Sequence, residues 1–264
     1  MKYHDIKWID TLPPFRLLAN IIRAFARIEK DISQQSLIHA IEQDPIVAAR
    51  LVAIANSPFY SPQQSINTVS SSIMSIGLRD TKSILFRIIL NERFPNTSKT
   101  FSTHHYWYDI MMMARMASLM AKKIATCASS ADDLYTLGLL NSVGILLLVY
   151  QFPDEMEDIL NSDDINAGIS AIFGMDYHQI GARLLNHWGL PDTITRQIEQ
   201  LTIKPGFSRE TKILRDAKKL IKLIASKQHN DDEVVIRMNE HQVYSLKFYS
   251  EIHDEVVETL KLLH

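Results

Sequence analysis

The 264 residues carry 28 Lys and Arg against 30 Asp and Glu, a formal charge of −2, so the cation excess that neutralises nucleic-acid phosphates is missing. A chain this long buries a sizeable core without staples, and its single cysteine, Cys127, excludes an intrachain disulfide and a Cys-rich zinc centre. Met1 to Asp5 lead into no signal-like apolar segment and no apolar run approaches the roughly 20 residues of a membrane span, so the expectation is a cytoplasmic protein without membrane contact.

Helical periodicity dominates from the start. Behind Pro13-Pro14, the residues Phe15, Leu18, Ile21, Ile22, Phe25 and Ile28 recur at spacings of three and four and give a first helix one apolar stripe. Ser33 is placed to cap a second helix through Glu42. Asp44, with Pro45 at the first helical position, caps a third to about Ala55, which Asn56-Ser57-Pro58 ends. Thr68 caps a fourth through Ile76, where Gly77 suits the left-handed C′ position, and Leu78 to about Asn91 gives a fifth.

The stretch from Phe94 to Thr103, with Pro95, Asn96, Thr97 and Ser98, connects these five helices to a second group. That group opens with a Met-rich helix from His104 to Cys127 and a very apolar one from Asp132 to Tyr150. A short helix follows Pro153, and another is capped by Asp163-Asp164 and broken at Gly174. Two more run from Asp176, separated by Gly189 and restarted by Pro191. After Lys204-Pro205-Gly206 come a helix from Ser208 to about Lys227 and a last helix after Asn239, which has capping-box spacing to Gln242. Val234-Val235-Ile236 is the one strand-like run, and a strand without a partner is not expected to form. The fold class is all-α.

Several landmarks fall in one order. They are Leu12-Pro13-Pro14, Ile41 to Pro45 with Ala49-Arg50-Leu51, Ala55-Asn56-Ser57, and Ile76-Gly77-Leu78-Arg79. Later come Leu137-Gly138-Leu139-Leu140 and Ile180 to Leu185 leading to His187-Trp188-Gly189-Leu190-Pro191. In that order and spacing the chain resembles the HDOD family, the HD-related output domains of bacterial signalling, over residues 10–203. The resemblance implies a five-helix N-terminal subdomain over 10–95 and an HD-like helical bundle over 102–203. Residues 204–264 are left as a C-terminal helical extension.

Catalytic relatives of that frame bind divalent cations through histidines and an adjacent His-Asp pair, and the cation acidifies water and polarises a phosphoryl oxygen. Matching Gly138-Leu139-Leu140 and Gly144 to the family pattern puts Asn141-Ser142 where the His-Asp pair belongs. The other ligand positions fall on Asp109, set by Trp107, on Tyr177, set by Gly181, and on Gln200-Leu201, set by Ile198. An amide is a weak neutral donor and an alcohol a weaker one, so one carboxylate remains of a set that needs about four ligands. The resemblance thus implies no metal, no cofactor and no catalysis, with Asp109, Asn141, Ser142, Tyr177 and Gln200 around a vestigial pocket. A displaced metal site would draw on His104, His105, His178 and His187 with Asp109 or Asp176. Adjacent helical residues point about 100° apart, however, so His104 and His105 cannot share one focus.

Other residues carry simpler readings. Asn56 and Ser57 serve the free backbone groups of a helix end or, alternatively, form a polar patch for a partner. Met111, Met112, Met113, Met116 and Met120 read as core, with an adaptable surface as the alternative. Cys127 is a packing residue with no basic neighbour to activate it, and Asp231-Asp232-Glu233 is a solvated turn. The function that follows is a non-catalytic regulatory module that binds unidentified signalling proteins. The surfaces offered are the groove between the two helical units and the C-terminal stripe Val256, Val257, Leu260 and Leu263, which also suits a homodimer. Two alternatives stand beside it: a phosphohydrolase with a rearranged site, and a small-molecule or nucleotide sensor using the vestigial pocket.

Overall fold

Capping chemistry sets the helix starts in the computed structural model, which describes residues 6–12, 17, 20–22, 34–60, 65–95, 98, 100–123, 131–162, 164–202, 208–226, 235–239, 242–245, 254 and 257. A 3-10 helix spans Ile6–Thr11. Of the first expected helix, Leu17, Asn20, Ile21 and Ile22 are helical, and both isoleucines are buried. Phe15, Leu18, Phe25, Ile28 and Ser33 lie outside the described residues. Helix α1 spans Gln35–Glu42 and α2 spans Pro45–Ala55, begun as expected by Asp44, whose Oδ1 accepts from the N–H of Ile46 (3.0 Å) and Val47 (3.1 Å). Thr68 Oγ1 accepts from the Ser71 N–H at 3.1 Å and opens α3, Val69–Ile76. Gly77 has the positive φ the sequence calls for, 86°, but its ψ of 151° lies outside the left-handed helical region. It is a hinge between two helices rather than a terminal cap, since its carbonyl already accepts from Thr81 N–H and starts α4, Leu78–Arg93.

Every residue from Thr81 to Leu90 is buried, so α4 is the seam between the N-terminal helices and the bundle. Polar bridges cross the seam. Arg115 Nη2 donates to Asp80 Oδ1 (2.7 Å), Lys82 Nζ to Thr136 Oγ1 (3.1 Å), and Trp107 Nε1 to Asn91 Oδ1 (2.8 Å). The bundle begins with α5, Thr103–Lys123, on which the five methionines are all buried, as the core reading requires. Cys127 lies outside the described residues.

The expected single helix from Asp132 to Tyr150 is two: α6, Ala131–Leu140, and α7, Val143–Gln151, divided by a turn at Asn141-Ser142. The Asn141 side-chain amide donates to the Gly138 carbonyl, a local bond that competes with helix continuation and redirects the chain. The expectation that no apolar stretch reaches span length also needs correction. Ala131–Gln151 is 21 residues long and apolar enough by composition to cross a membrane, but 78% of that window is buried inside this fold.

Helices α8, Pro153–Leu160, and α9, Ile165–Phe173, follow; Asp164 caps the latter and Gly174 ends it at φ 72°, ψ 0°. Helices α10, Tyr177–His187, and α11, Asp192–Glu199, complete the bundle. The 3-10 helix straps back over α10: Arg183 Nη2 donates to Asp10 Oδ2 (2.7 Å) and His187 Nε2 to the Leu12 carbonyl (2.6 Å). Trp8 meets Phe152 edge-on at 5.0 Å. Helix α12, Arg209–Ser226, packs on α5, α6 and α11.

The last expected helix is corrected in part. Strands β1, Val235–Asn239, and β2, Gln242–Ser245, pair antiparallel with Val235 opposite Ser245 and Ile236 opposite Tyr244. The strand-like run does have a partner, because Gln242 to Ser245 is itself strand-forming, and the apparent capping box from Asn239 to Gln242 spans the hairpin connection. Asp254 and Val257 are helical; Val256, Leu260, Leu263 and the Asp231–Glu233 turn lie outside the described residues. The rest of the fold keeps to the all-α class.

Candidate functional site

Two backbone contacts build the site. A Cβ on Gly144 would lie 2.0 Å from the Tyr177 carbonyl oxygen, and one on Gly181 would lie 3.1 Å from the Gly144 nitrogen, so α7 and α10 touch backbone to backbone. That contact brings Tyr177 and His178, at the start of α10, beside the Asn141-Ser142 turn. The start of α10 is itself fixed by a capping box: Asp176 Oδ1 accepts from the N–H of His178 (2.8 Å) and Gln179 (3.0 Å), while Gln179 Oε1 accepts from Asp176 N–H (3.1 Å).

The turn and the two helices border a cavity of about 350 Å³. Asn141 and His178 form its polar inner wall, and Met113, Leu201 and Leu214 form an apolar one. Arg215, Lys218 and Lys219 line it from α12. Lys218 Nζ donates to the Tyr177 hydroxyl and stands 5.2 Å from the centre of that ring. Arg215 is half-buried and donates to the Leu201 carbonyl.

The titratable groups register those cations. Burial raises the Asp109 carboxyl above its ordinary value, with His105 and Lys218 pulling the other way. Burial lowers His178, and Lys218 and Arg215 lower it further against the opposing pull of Asp176. Burial alone would raise Asp176, yet the surrounding donors hold it below the ordinary carboxylate range. His178 Nδ1 is 3.7 Å from Asp176 Oδ1, too far for a hydrogen bond, and both His178 Nδ1 and Asp176 Oδ2 are buried with no hydrogen-bond partner.

The five sequence-derived pocket residues divide. Asn141 lines the cavity, Tyr177 is bonded to its Lys218, and Asp109 feels the Lys218 charge without lining it. Ser142 and Gln200 are not in its lining: Ser142 offers its carbonyl to Tyr106 Oη (3.3 Å), and half-buried Gln200 ends α11 with its N–H on the Arg196 carbonyl (3.0 Å). His178, Arg215, Lys218 and Lys219 are additions. The spacing of the three cations, at i, i+3 and i+4 on α12, is visible in sequence but reads equally as a solvated helix face.

Asn56, the candidate partner patch, is consumed by backbone. Its Nδ2 donates to the carbonyls of Val52 (2.9 Å) and Ile66 (2.7 Å), and its Oδ1 accepts from Ile66 N–H (2.9 Å), clamping the return loop to the end of α2. Ser57 beside it keeps a buried hydroxyl without a hydrogen-bond partner.

A divalent cation does not fit these side chains. Among the described residues no three His, Cys, Asp or Glu side chains converge as a metal site requires. Asn141 directs its amide N–H at Gly138, and the Lys218 ammonium is bonded to Tyr177.

The profile of the HDOD domain matches residues 12–202. No curated protein is significantly similar to the sequence. Among solved structures, a candidate phosphohydrolase from Shewanella amazonensis SB2B superposes with a TM-score of 0.70 at 18% identity, covering 98% of this chain and 97% of that one. An HDOD domain protein with unknown function from Geobacter sulfurreducens gives 0.66 at 17% identity, with 96% and 92% covered. A candidate signal transduction protein from Marinobacter aquaeolei VT8 gives 0.70 at 19% identity, with 98% and 59% covered. At such identities the likeness is one of fold.

Proposed function

The chain belongs to the HDOD domain family, signal-transduction output domains, and from that premise we propose that it is a non-catalytic regulatory module that works by binding. One observation carries the proposal. At Tyr177, one of the positions where the resemblance implies a metal ligand, the hydroxyl accepts instead from the Lys218 ammonium, whose charge also reaches Asp109. A positive charge bonded there repels a second one, and neither Asn141 nor Tyr177 supplies the negative charge that would offset it. Catalysis of the ancestral kind needs a metal-acidified water, so the module passes its signal through what it binds, and a partner supplies the output.

The test is elemental analysis of the purified full chain together with phosphodiester turnover in the presence of added manganese. The expected result is substoichiometric metal and no turnover. Stoichiometric transition metal with turnover, both abolished on replacing Asp109 and His178, would overturn the proposal. The cavity of about 350 Å³ favours a second reading within the same class, that the module senses a small molecule.

A further inference from the structure

We propose that the cavity between α5, α10 and α12 is a binding site for a small organic phosphomonoester, its phosphate held by Arg215, Lys218 and Lys219 and its apolar body laid against Met113, Leu201 and Leu214. This rests on the binding-module reading above and names the ligand class.

The lining contains three cations and no carboxylate. All three cations come from one face of α12, and the exposed Lys218 and Lys219 stand at the open side. Three carboxylates flank the site without lining it: Asp176 stands 3.7 Å from His178, while Asp109 feels the charge of Lys218 and Asp216 that of Lys219. A phosphomonoester brings close to two negative charges and three acceptor oxygens, which matches a lining of three cationic donors better than a monocarboxylate does.

The inner wall carries the second observation. The His178 side chain is 9% exposed, lines the cavity, and has an Nδ1 with no hydrogen-bond partner. That nitrogen lies 3.7 Å from Asp176 Oδ1, so the ring stands between a carboxylate on one side and the cavity it lines. An anion would also reverse the electrostatic situation of that ring, which now feels Lys218 and Arg215 without a facing negative charge other than Asp176. The apolar wall gives the ligand more than a phosphate to bind, and about 350 Å³ sits at the small end of ligand pockets.

All three cations lie beyond the residues that match the HDOD domain, 12–202. The cations therefore come from the C-terminal extension, and a bound phosphomonoester bridges α12 to the turn and helix start that the domain itself supplies. Ligand binding then couples the extension to the domain.

The experiment uses the full chain and three probes: phenyl phosphate, inorganic phosphate and benzoate, at matched ionic strength. Phenyl phosphate is expected to raise Tm saturably and to move the His178 imidazole resonance, while leaving that of His187, which faces the Leu12 carbonyl, in place. Inorganic phosphate, lacking the apolar body, binds more weakly, and benzoate more weakly still. Lys219→Gln, an exposed change, should weaken phenyl phosphate roughly tenfold, the loss of about one charge-assisted bond. Lys218→Gln should weaken it at least as much. Absence of saturable binding, equal affinity in Lys219→Gln, or equal affinity for benzoate would overturn the proposal. Metal content and turnover in the same samples report on the non-catalytic reading separately, so the two fail independently.

Discussion

The N-terminal helices and the pocket of the bundle use the same polar residue types at helix ends, with opposite outcomes. Around α2 and α3, Asp44, Asn56 and Thr68 are bonded to backbone, and Asn56 alone makes three such bonds. At the start of α10, Asp176 caps the helix with one oxygen while its other oxygen and the neighbouring His178 Nδ1 stay buried without a hydrogen bond. In the first region these three side chains complete the fold. In the second, one of the two residues, His178, also lines a cavity, where a ligand can gain affinity.

Four measurements sharpen or break that contrast. The largest effect tests the contact that holds the pocket together. Gly144→Ala drives a methyl group into the Tyr177 carbonyl and should cost about 3 kcal/mol in urea unfolding, the upper end for overpacking. A loss well below 1 kcal/mol would mean that α7 and α10 separate easily and that the pocket is not rigid.

Next, Asn56→Ala strips the partner from both backbone groups of Ile66 and should cost about 2 kcal/mol. Near-neutrality there would erase the distinction between the regions. Asp44→Ala should cost about 1 kcal/mol, the ordinary worth of an N-cap, without changing the affinity of any pocket ligand.

The smallest effect is a pH dependence. Since His178 is held below its ordinary value in the folded chain, the unfolded chain takes up that proton first as acid is added. Its contribution to stability is complete above about pH 6.5 and is lost as the pH falls through the window beneath. Asp176, also lowered, adds a loss in the same direction further into acid, whereas the raised Asp109 and Asp216 oppose it. His178→Gln should therefore flatten the midpoint of urea unfolding between pH 7 and pH 5. An unchanged slope would place the titration elsewhere.

Local chemistry made most of the fold readable. Asp44 before Pro45, Thr68 before Val69 and Asp164 before Ile165 are each bonded as their residue types require. Two things were not legible. The division of α6 from α7 was hidden because apolar residues continue on both sides of Asn141-Ser142, and only the Asn141 bond to Gly138 and the close packing of Gly144 on α10 decide it. The hairpin was hidden because a pairing partner is a tertiary fact, and Gln242 to Ser245 offers too few residues to announce one.

The site was half legible. Asn141, Tyr177 and Asp109 came from matching spacing; Asn141 lines the cavity, Tyr177 accepts from Lys218, and Asp109 feels the Lys218 charge. Lys218 itself could not be foreseen, because the Lys204-Pro205-Gly206 boundary in the sequence separates Arg215, Lys218 and Lys219 from that frame and only packing brings α12 to it. Ser142 and Gln200 show the limit of carrying positions across by count, since both stand at helix ends and neither lines the cavity.

The strap from Trp8 to Leu12 has a consequence for biogenesis. Asp10 and Arg183 are 173 positions apart, and His187 and Leu12 are 175 apart. During translation, the segment bearing Trp8 and Asp10 leaves the ribosome long before its berth on α10 has been synthesised, so it waits while later helices assemble. Docking it closes one of the longest loops in the polypeptide, an event of high contact order that belongs to the end of folding. A nascent chain arrested before residue 183 would therefore leave Trp8 without its final surroundings.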